Sequence, residues 1–367
     1  MMAAKFYTRE AQPADSDALI KLIVQTPQQG AITINFERSP DFFMATKVVT
    51  QAPDVWVAIE RNSDKIAAVF SIGQRDVYVN GKRQAVRYGN DLRIHPNFQS
   101  GRTLFNLLKC YREVMGSEWM QTVILSDNST SLNTMGSGRS ITPTYYDFGS
   151  MVTHMLYLTK LQSRLDLQLT VRRANHNDID LIQEFFDQQA KKKQFYPHYD
   201  FIKLLDGDDY YRGLEINDYF LMFAQDKLVA MAGIWDQSEF KQTRFVSYNK
   251  MMSGLRVINN LYSQLFGGLK LPPPGGKLNY VSLHTLLVID DDSHYFEQLV
   301  KHIYNFCLEQ GYQALVCGLP ELDLRQPVLQ QYRSKVLHSK HFIASYKEDP
   351  RAQFQPEYPL YLEPARL

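Results

Sequence analysis

Residues 88–108, YGNDLRIHPNFQSGRTLFNLL, bring together the parts of an anion-binding turn. Asp91 heads a stretch in which Leu92 and Ile94 alternate with Arg93, the period-two pattern of a half-buried strand. Pro96 ends that strand, because proline cannot donate to a ladder. Gln99, Ser100, Gly101, Arg102 and Thr103 follow as a polar turn, and Leu104, Leu107, Leu108 and Tyr111 then recur at helical spacing. The first amides of such a helix lack intrahelical partners and lie at the positive end of its dipole. The stretch from Gln99 to Leu104 therefore suits a phosphate or pyrophosphate. Arg102 and Lys109 could meet such an anion, or simply solvate the helix. Ser126 and Ser131 have no His/Asp constellation that would make either a nucleophile. The nine histidines show no paired ligand spacing, so no metal is expected.

The elements that must position this turn are written twice. Arg9, Ala11, Asp15 and Asp17 match Arg172, Ala174, Asp178 and Asp180 at an offset of 163 residues. Asp64-Lys65-Ile66-Ala67-Ala68 matches Asp226-Lys227-Leu228-Val229-Ala230 at 162. Two echoes at nearly one offset predict a duplicated domain, with boundaries near 1–160 and 161–367. Each copy opens as strand then helix, the aspartates being typical of a helix start. In the first copy, 31–43 reads as an extended piece and a helix entered near Pro40. Residues 55–60 and 65–75 read as a hairpin, and 76–82 as a strand ending in an Asn80-Gly81 turn. Residues 122–126 are the next buried strand, and 148–158 supply closing strands. In the second copy, 179–195 and 210–216 read as helical, 219–235 as a hairpin and 280–289 as the counterpart of 88–94. Residues 295–308 and 313–318 complete it as helix and strand. An insertion at about 240–277 contains a helical pattern (Met251, Leu255, Ile258, Leu261) and ends in a stiff LPPPGGK loop.

The 367 residues favour two domains, and a chain 44% hydrophobic and 13% aromatic can fill two cores. A net charge of +1 gives no bulk attraction for nucleic acid or an anionic membrane. No apolar run approaches the ~20 residues of a membrane span, and the start of the chain lacks the apolar core of a secretory signal. Cys110, Cys307 and Cys317 form no CxxC pair, which fits a reduced, cytoplasmic setting.

The segment Asp-Leu-Arg-Ile-His-Pro-Asn-Phe-Gln-Ser-Gly-Arg-Thr resembles the acyl-CoA-binding segment of the GNAT superfamily of N-acetyltransferases. There a strand and a proline lead into Arg/Gln-x-x-Gly-x-Gly/Ala, whose amides hold the CoA pyrophosphate. Counting from Pro96, Gln99 takes the Arg/Gln place while Arg102 and Leu104 stand where glycines are expected. Shifting by one residue puts Gly101 and Thr103 on the glycine positions. Asn128-Ser129-Thr130-Ser131 resembles the family's Asn-x-x-Ala step on the CoA side of the cleft. The resemblance implies an α+β (mixed α/β) fold. Each of its two GNAT-like domains would be a twisted, mostly antiparallel mixed sheet flanked by helices, with a splayed central strand pair.

The same resemblance implies acyl-CoA, most simply acetyl-CoA, as co-substrate and an amine of a small molecule or peptide as acceptor. No nucleic-acid or membrane partner is implied, and the chain would be a monomer or homodimer. In the family a tyrosine seven residues after the Asn protonates the leaving thiolate; here that place is Met135, so Tyr145 and Tyr146 are the substitutes to test. Asp91 is the candidate base, unless it pairs with Arg93 or Arg87. Glu37 is a second candidate, unless it too is a salt-bridge partner. Phe36, Phe42 and Phe43 line an acceptor pocket or pack a core. In the second copy Asp290, Asp291 and Asp292 stand where the first has its Gln-Ser-Gly-Arg turn, and carboxylates repel a pyrophosphate. That copy is therefore expected to be degenerate. A non-catalytic CoA- or partner-binding module is the alternative, and an aminoacyl-tRNA-dependent transferase is disfavoured by the near-neutral charge.

Overall fold

The doubled Arg/Asp motif makes the same local structure twice. Asp15 accepts both Arg9 guanidinium nitrogens at 2.7 and 2.8 Å, and Asp178 accepts those of Arg172 at 2.7 and 2.6 Å. The same carboxylates take the backbone N–H of Gln12 (2.7 Å) and Asn175 (2.9 Å). In both places a bidentate, charge-assisted pair ties the first strand of a half to the turn that enters its first helix.

The computed structural model describes residues 5–28, 32–99, 101–136, 140–163, 166–266 and 269–367. Along the first half run β1 (Phe6–Glu10), α1 (Ser16–Val24), β2 (Ile32–Glu37), α2 (Phe42–Val49), β3 (Ala52–Glu60), β4 (Lys65–Val79), β5 (Lys82–Ile94), α3 (Gly101–Met115), β6 (Met120–Leu125), α4 (Ser129–Met135) and β7 (Thr144–Tyr157). The second half has β8 (Leu169–Arg173), α5 (Ile179–Ala190), α6 (Phe201–Leu205), β9 (Tyr219–Ala224), β10 (Lys227–Trp235), β11 (Gln242–Tyr248), α7 (Lys250–Phe266), β12 (Tyr280–Val288), α8 (Ser293–Glu309), β13 (Ala314–Pro320), α9 (Gln326–Gln330) and β14 (Ser334–Ser345). The hairpin of β4 and β5 turns at Asn80 (φ 50°) and Gly81 (φ 76°), two left-handed residues that match the twist of the flanking strands.

Twelve strands form one sheet in the order β1-β3-β4-β5-β6-β14-β7-β13-β12-β10-β9-β8. The order reads the same from either end once each strand is exchanged for its counterpart in the other half. At the centre, β14 of the second half lies between β6 and β7, and β7 of the first half lies between β14 and β13. Of residues 148–158, all but Leu158 thus belong to one closing strand, β7, not several; the partner missing from each half is supplied by the other. A second, two-stranded sheet of β2 and β11 also joins the halves. The helical expectation at 210–216 fails. Short 3-10 turns at Asp209–Tyr211 and Ile216–Asp218 flank Gly213, whose φ of 74° breaks a helix. All three cysteines are buried.

Helices cover the sheet by their apolar stripes. Leu19, Leu22 and Ile23 of α1 meet Val55, Val57 and Val69, and Leu107, Cys110 and Tyr111 of α3 meet Phe70 and Ile72. In the second half Phe296, Leu299, Val300 and Ile303 of α8 pack on Val281, Leu283 and Leu315.

Candidate functional site

Each half contains a fork where two parallel strands part. β5 and β6 are in register only at Arg87–Met120 and Tyr88–Gln121. β12 and β13 are in register only over Tyr280–Ser282 and Ala314–Val316. Beyond the shared residues each diverging strand bulges against its antiparallel neighbour. The bulges fall between Asn90 and Arg93 in one half and between His284 and Leu287 in the other. Each contains a left-handed residue, Asp91 at φ 56° and Thr285 at φ 55°. For the β-branched threonine this is a strained conformation, held by its surroundings. A bulge leaves a residue outside the ladder, so its amide is available to something in the fork.

In the second fork that something is the chain itself. Glu363 accepts the Thr285 N–H at 2.9 Å and the Tyr361 hydroxyl at 3.2 Å, and is fully buried. Gly318 of β13 lies so close to the Pro364 ring that a Cβ there would collide with it. The aspartate turn is likewise satisfied internally. Asp291 pairs with Arg325 at 3.0 Å and with Lys193, Asp290 pairs with Lys192 at 3.1 Å, and Asp292 caps α8 through the Tyr295 N–H at 2.9 Å.

The segment that fills the second fork continues toward the first. Arg366 is enclosed by Tyr199, Tyr210, Tyr211 and Trp235, its guanidinium 3.5 Å from the Tyr210 ring centroid. It donates to the Val48 carbonyl (2.6 Å), the Tyr210 carbonyl (2.7 Å) and the Tyr199 hydroxyl (3.1 Å). Its own carbonyl accepts from Arg75, which stacks over Tyr88 of β5 at 3.4 Å. The Leu367 main-chain oxygen accepts from Lys241 at 2.5 Å. Lys241 is half-buried, and burial and then the charge of Arg38 push the pKa of its amine down to about 7.

At the first fork Asp91 pairs with Arg38 at 2.5 Å and accepts the Asn90 side-chain amide at 2.9 Å. Its partner is thus neither Arg93, which donates to the Thr26 carbonyl at 2.8 Å, nor Arg87, which donates to the Val114 carbonyl at 2.5 Å. Among the described residues, the buried Asn90 side-chain oxygen and the hydroxyl of Ser71, directly across the ladder from Asn90, have no hydrogen-bond partner. At the base of the fork Gly89 leaves room for the Tyr111 hydroxyl and the Met120 sulfur. Tyr145 is half-buried with its hydroxyl inside, near Tyr111, and among the described residues that hydroxyl makes no hydrogen bond of ordinary geometry. Burial keeps it protonated by raising its pKa.

The remaining sequence candidates are scattered. Tyr146 lies under Arg351, whose guanidinium is 5.3 Å from its ring, away from the fork. Glu37 pairs with Arg244 at 2.7 Å across the β2–β11 ladder. Leu92 and Ile94 pack on the core of Phe70 and Tyr111. The Gln99 amide donates weakly to the Pro96 carbonyl at 3.4 Å, and Thr103 is buried. Gly101 begins α3, with Leu104 half-buried in its first turn; Ser100 and the side chains of Arg102 and Met135 lie outside the described residues. Asn128 caps α4, accepting the Ser131 N–H at 3.1 Å. Phe42 is buried in the α1 cluster, with Phe43 packed against it and Arg38 5.2 Å from the Phe42 ring. A surface hollow of about 860 Å³ is lined by Ser117, Trp119, Ser345, Lys347–Pro350, Ala352 and Gln353, and Asp91 is not among its lining residues.

No family model and no curated protein sequence matches the chain. Solved structures do match in shape. A GCN5-related N-acetyltransferase from Sphaerobacter thermophilus aligns over 97% of this chain and 100% of its own, with a TM-score of 0.60 and 11% identity. Saccharomyces cerevisiae N-myristoyltransferase with bound myristoyl-CoA aligns over 99% and 86%, at 0.60 and 10%. The glucosamine N-acetyltransferase region of a fungal multi-domain beta-N-acetylglucosaminidase aligns over 94% of this chain but only 38% of its own, at 0.59 and 13%. The chain has the GNAT fold.

Within this GNAT fold, Arg38, Arg75, Lys241, Glu363 and Arg366 were not singled out by the sequence. They come together only because β2–β11 and the last nine residues bridge the halves. The one local signal was charge embedded in apolar sequence, as in YPLYLEPARL.

Glu363 makes this bridge pH-sensitive. Burial raises its pKa from 4.5 to about 7 in the folded chain, although the Thr285 N–H opposes the shift. The folded state then holds the proton more tightly than the unfolded one. The associated stability is complete below about pH 4.5 and is lost as pH rises to 7 and above. Urea unfolding from pH 4.5 to 7.5 should show a decline on the order of 3 kcal/mol, absent in Glu363→Gln. An identical decline in the variant would place its source elsewhere.

Proposed function

We propose that this chain is an acyl-CoA-dependent N-acyltransferase with one working fork, that of β5 and β6. It would be a duplicated GNAT pair, 1–160 and 161–367, whose second copy has become a scaffold. The carrying observation is the asymmetry of the forks. The bulge amide of Thr285 is taken by Glu363, whereas Asp91 at the other bulge pairs with Arg38; among the described residues, buried polar atoms without hydrogen-bond partners lie at both bulges, Asn90 Oδ1 and Ser71 Oγ at the first and His284 Nε2 at the second.

In this reading the thioester carbonyl docks at the Asp91 bulge, whose amide stabilises the oxyanion, and the pyrophosphate lies at the start of α3. A neutral amine attacks the carbonyl. Its proton passes to Lys241, whose pKa near 7 suits a base at neutral pH. Asp91, tied to Arg38, then positions the amine. The thiolate leaves toward Tyr145, whose hydroxyl donates its own proton to the sulfur and regains one from solvent once the products have left, while Lys241 gives up the amine's proton to solvent. Acetyl-CoA is the favoured donor. Myristoyl-CoA is the comparison to make, because the yeast neighbour binds it.

Calorimetric titration with acetyl-CoA and myristoyl-CoA should give one site per chain for one of them. That site should vanish in Gly101→Trp, which places an indole at the first residue of α3. Two sites per chain, none, or equal binding by the variant would remove the assignment. Binding without thiol release on any amine would favour a non-catalytic CoA module.

A further inference from the structure

Helix α7 is built inside out. Its polar residues hold it to the protein: the Asn259 and Asn260 side-chain amides donate to the Leu269 and Leu271 carbonyls, each at 2.9 Å, and buried Ser263 donates to Leu269 at 3.3 Å. Its large apolar residues point away. Met251, Leu255, Val257, Ile258, Leu261 and Leu265 are each 45–68% exposed. All but Val257 fall on one stripe at spacings of three and four residues, and Val257 flanks it. A helix 17 residues long that turns such a stripe to water is unpartnered among the described residues.

The charge around it says what covers it. From Phe240 to Ile289 the chain carries Lys241, Arg244, Lys250, Arg256, Lys270 and Lys277 and no acidic residue. Lys250, Lys270 and Lys277 are exposed and form no ion pair among the described residues. Arg333 borders the stripe, its guanidinium 5.9 Å from the Tyr262 ring. The whole-chain charge of +1 averages this patch away. A second copy packed face to face about a two-fold axis would set these cations against themselves. Among the described residues no helix is long and apolar enough to cross a membrane. A helix with an apolar face and a cationic border instead lies in the headgroup plane of an anionic bilayer.

We infer that α7 and its lysine border are a docking surface for an anionic phospholipid membrane. The helix follows directly from β11, whose partner β2 leads to Arg38. The membrane would therefore lie on the side of the molecule from which β2 reaches the first fork. The inference does not depend on acyl transfer.

Co-sedimentation of the full chain with large unilamellar vesicles tests it. Vesicles of phosphatidylcholine with ~30 mol% phosphatidylglycerol should retain the protein at least tenfold more strongly than phosphatidylcholine alone, with retention falling as salt is raised. Ile258→Glu/Leu261→Glu should lose at least tenfold of that binding, as should Lys250→Glu/Lys270→Glu/Lys277→Glu. Both change exposed side chains, and an unchanged melting temperature shows that the fold persists. Retention independent of lipid charge, or no retention, overturns the inference. So does a wild-type dimer that Ile258→Glu/Leu261→Glu converts to monomer without any vesicle binding, since the face would then be a subunit contact.

Discussion

Lys241→Met is expected to lower kcat/KM for acyl transfer by about 10²- to 10⁴-fold, the range for loss of a positioned general base. The sign of its pH dependence follows from its environment. Burial, together with the charge of Arg38, pushes the amine down to about 7, so it is neutral and able to accept a proton above that pH. The wild-type rate should therefore fall as pH drops below 7. In the variant that acid limb should disappear along with most of the rate. An acceptor amine with pKa below about 6 keeps the substrate's own ionisation out of the window. A variant that keeps the wild-type limb would show that the proton goes elsewhere, with Asp91 the next residue to examine. Lys241 also donates to the Leu367 oxygen, so unfolding of the variant must be measured alongside.

The largest effect on stability is expected at Arg366. Replacing it by Met should cost about 3–5 kcal/mol, because several buried acceptors lose a charged donor at once. The Val48 carbonyl belongs to α2 of the first half and the Tyr210 carbonyl to the second, so one guanidinium fastens the halves together. The surrounding rings of Tyr199, Tyr210 and Trp235 add cation–π attraction that Met cannot replace. Urea denaturation should show a lower midpoint. A lower m-value or a second transition would mean that the halves have come apart. A change below about 1 kcal/mol would contradict the description of Arg366 as the clasp.

What the sequence determined alone was local and periodic. The Arg9/Asp15 and Arg172/Asp178 echoes each reappear as a bidentate pair, because six residues of chain suffice to make one. The strand–turn–helix of 88–108 formed because its alternation and then its helical spacing are properties of consecutive residues. Asp91 was legible as a site candidate because it precedes the Leu92/Ile94 alternation, although β5 begins at Lys82 and Asp91 lies near its other end, in the bulge; its partner was not legible. Arg38 lies 53 positions away in the sequence, and only the packing of β2 beside the fork brings it to 2.5 Å.

Tertiary structure alone decided the rest. Nothing in 148–158 could say that β14, some two hundred residues later, would separate β7 from β6. Strand pairing depends on which edges remain unpaired once the rest of the sheet has formed. The aspartate turn was readable as unsuited to a pyrophosphate, whereas the plug at the second fork was not. Glu363 reaches Thr285 because the chain doubles back through the space left by diverging strands. Lys241 is an ordinary lysine in sequence, and it becomes a candidate base only where burial among Arg38, Arg75 and Arg366 removes the water that would keep it charged.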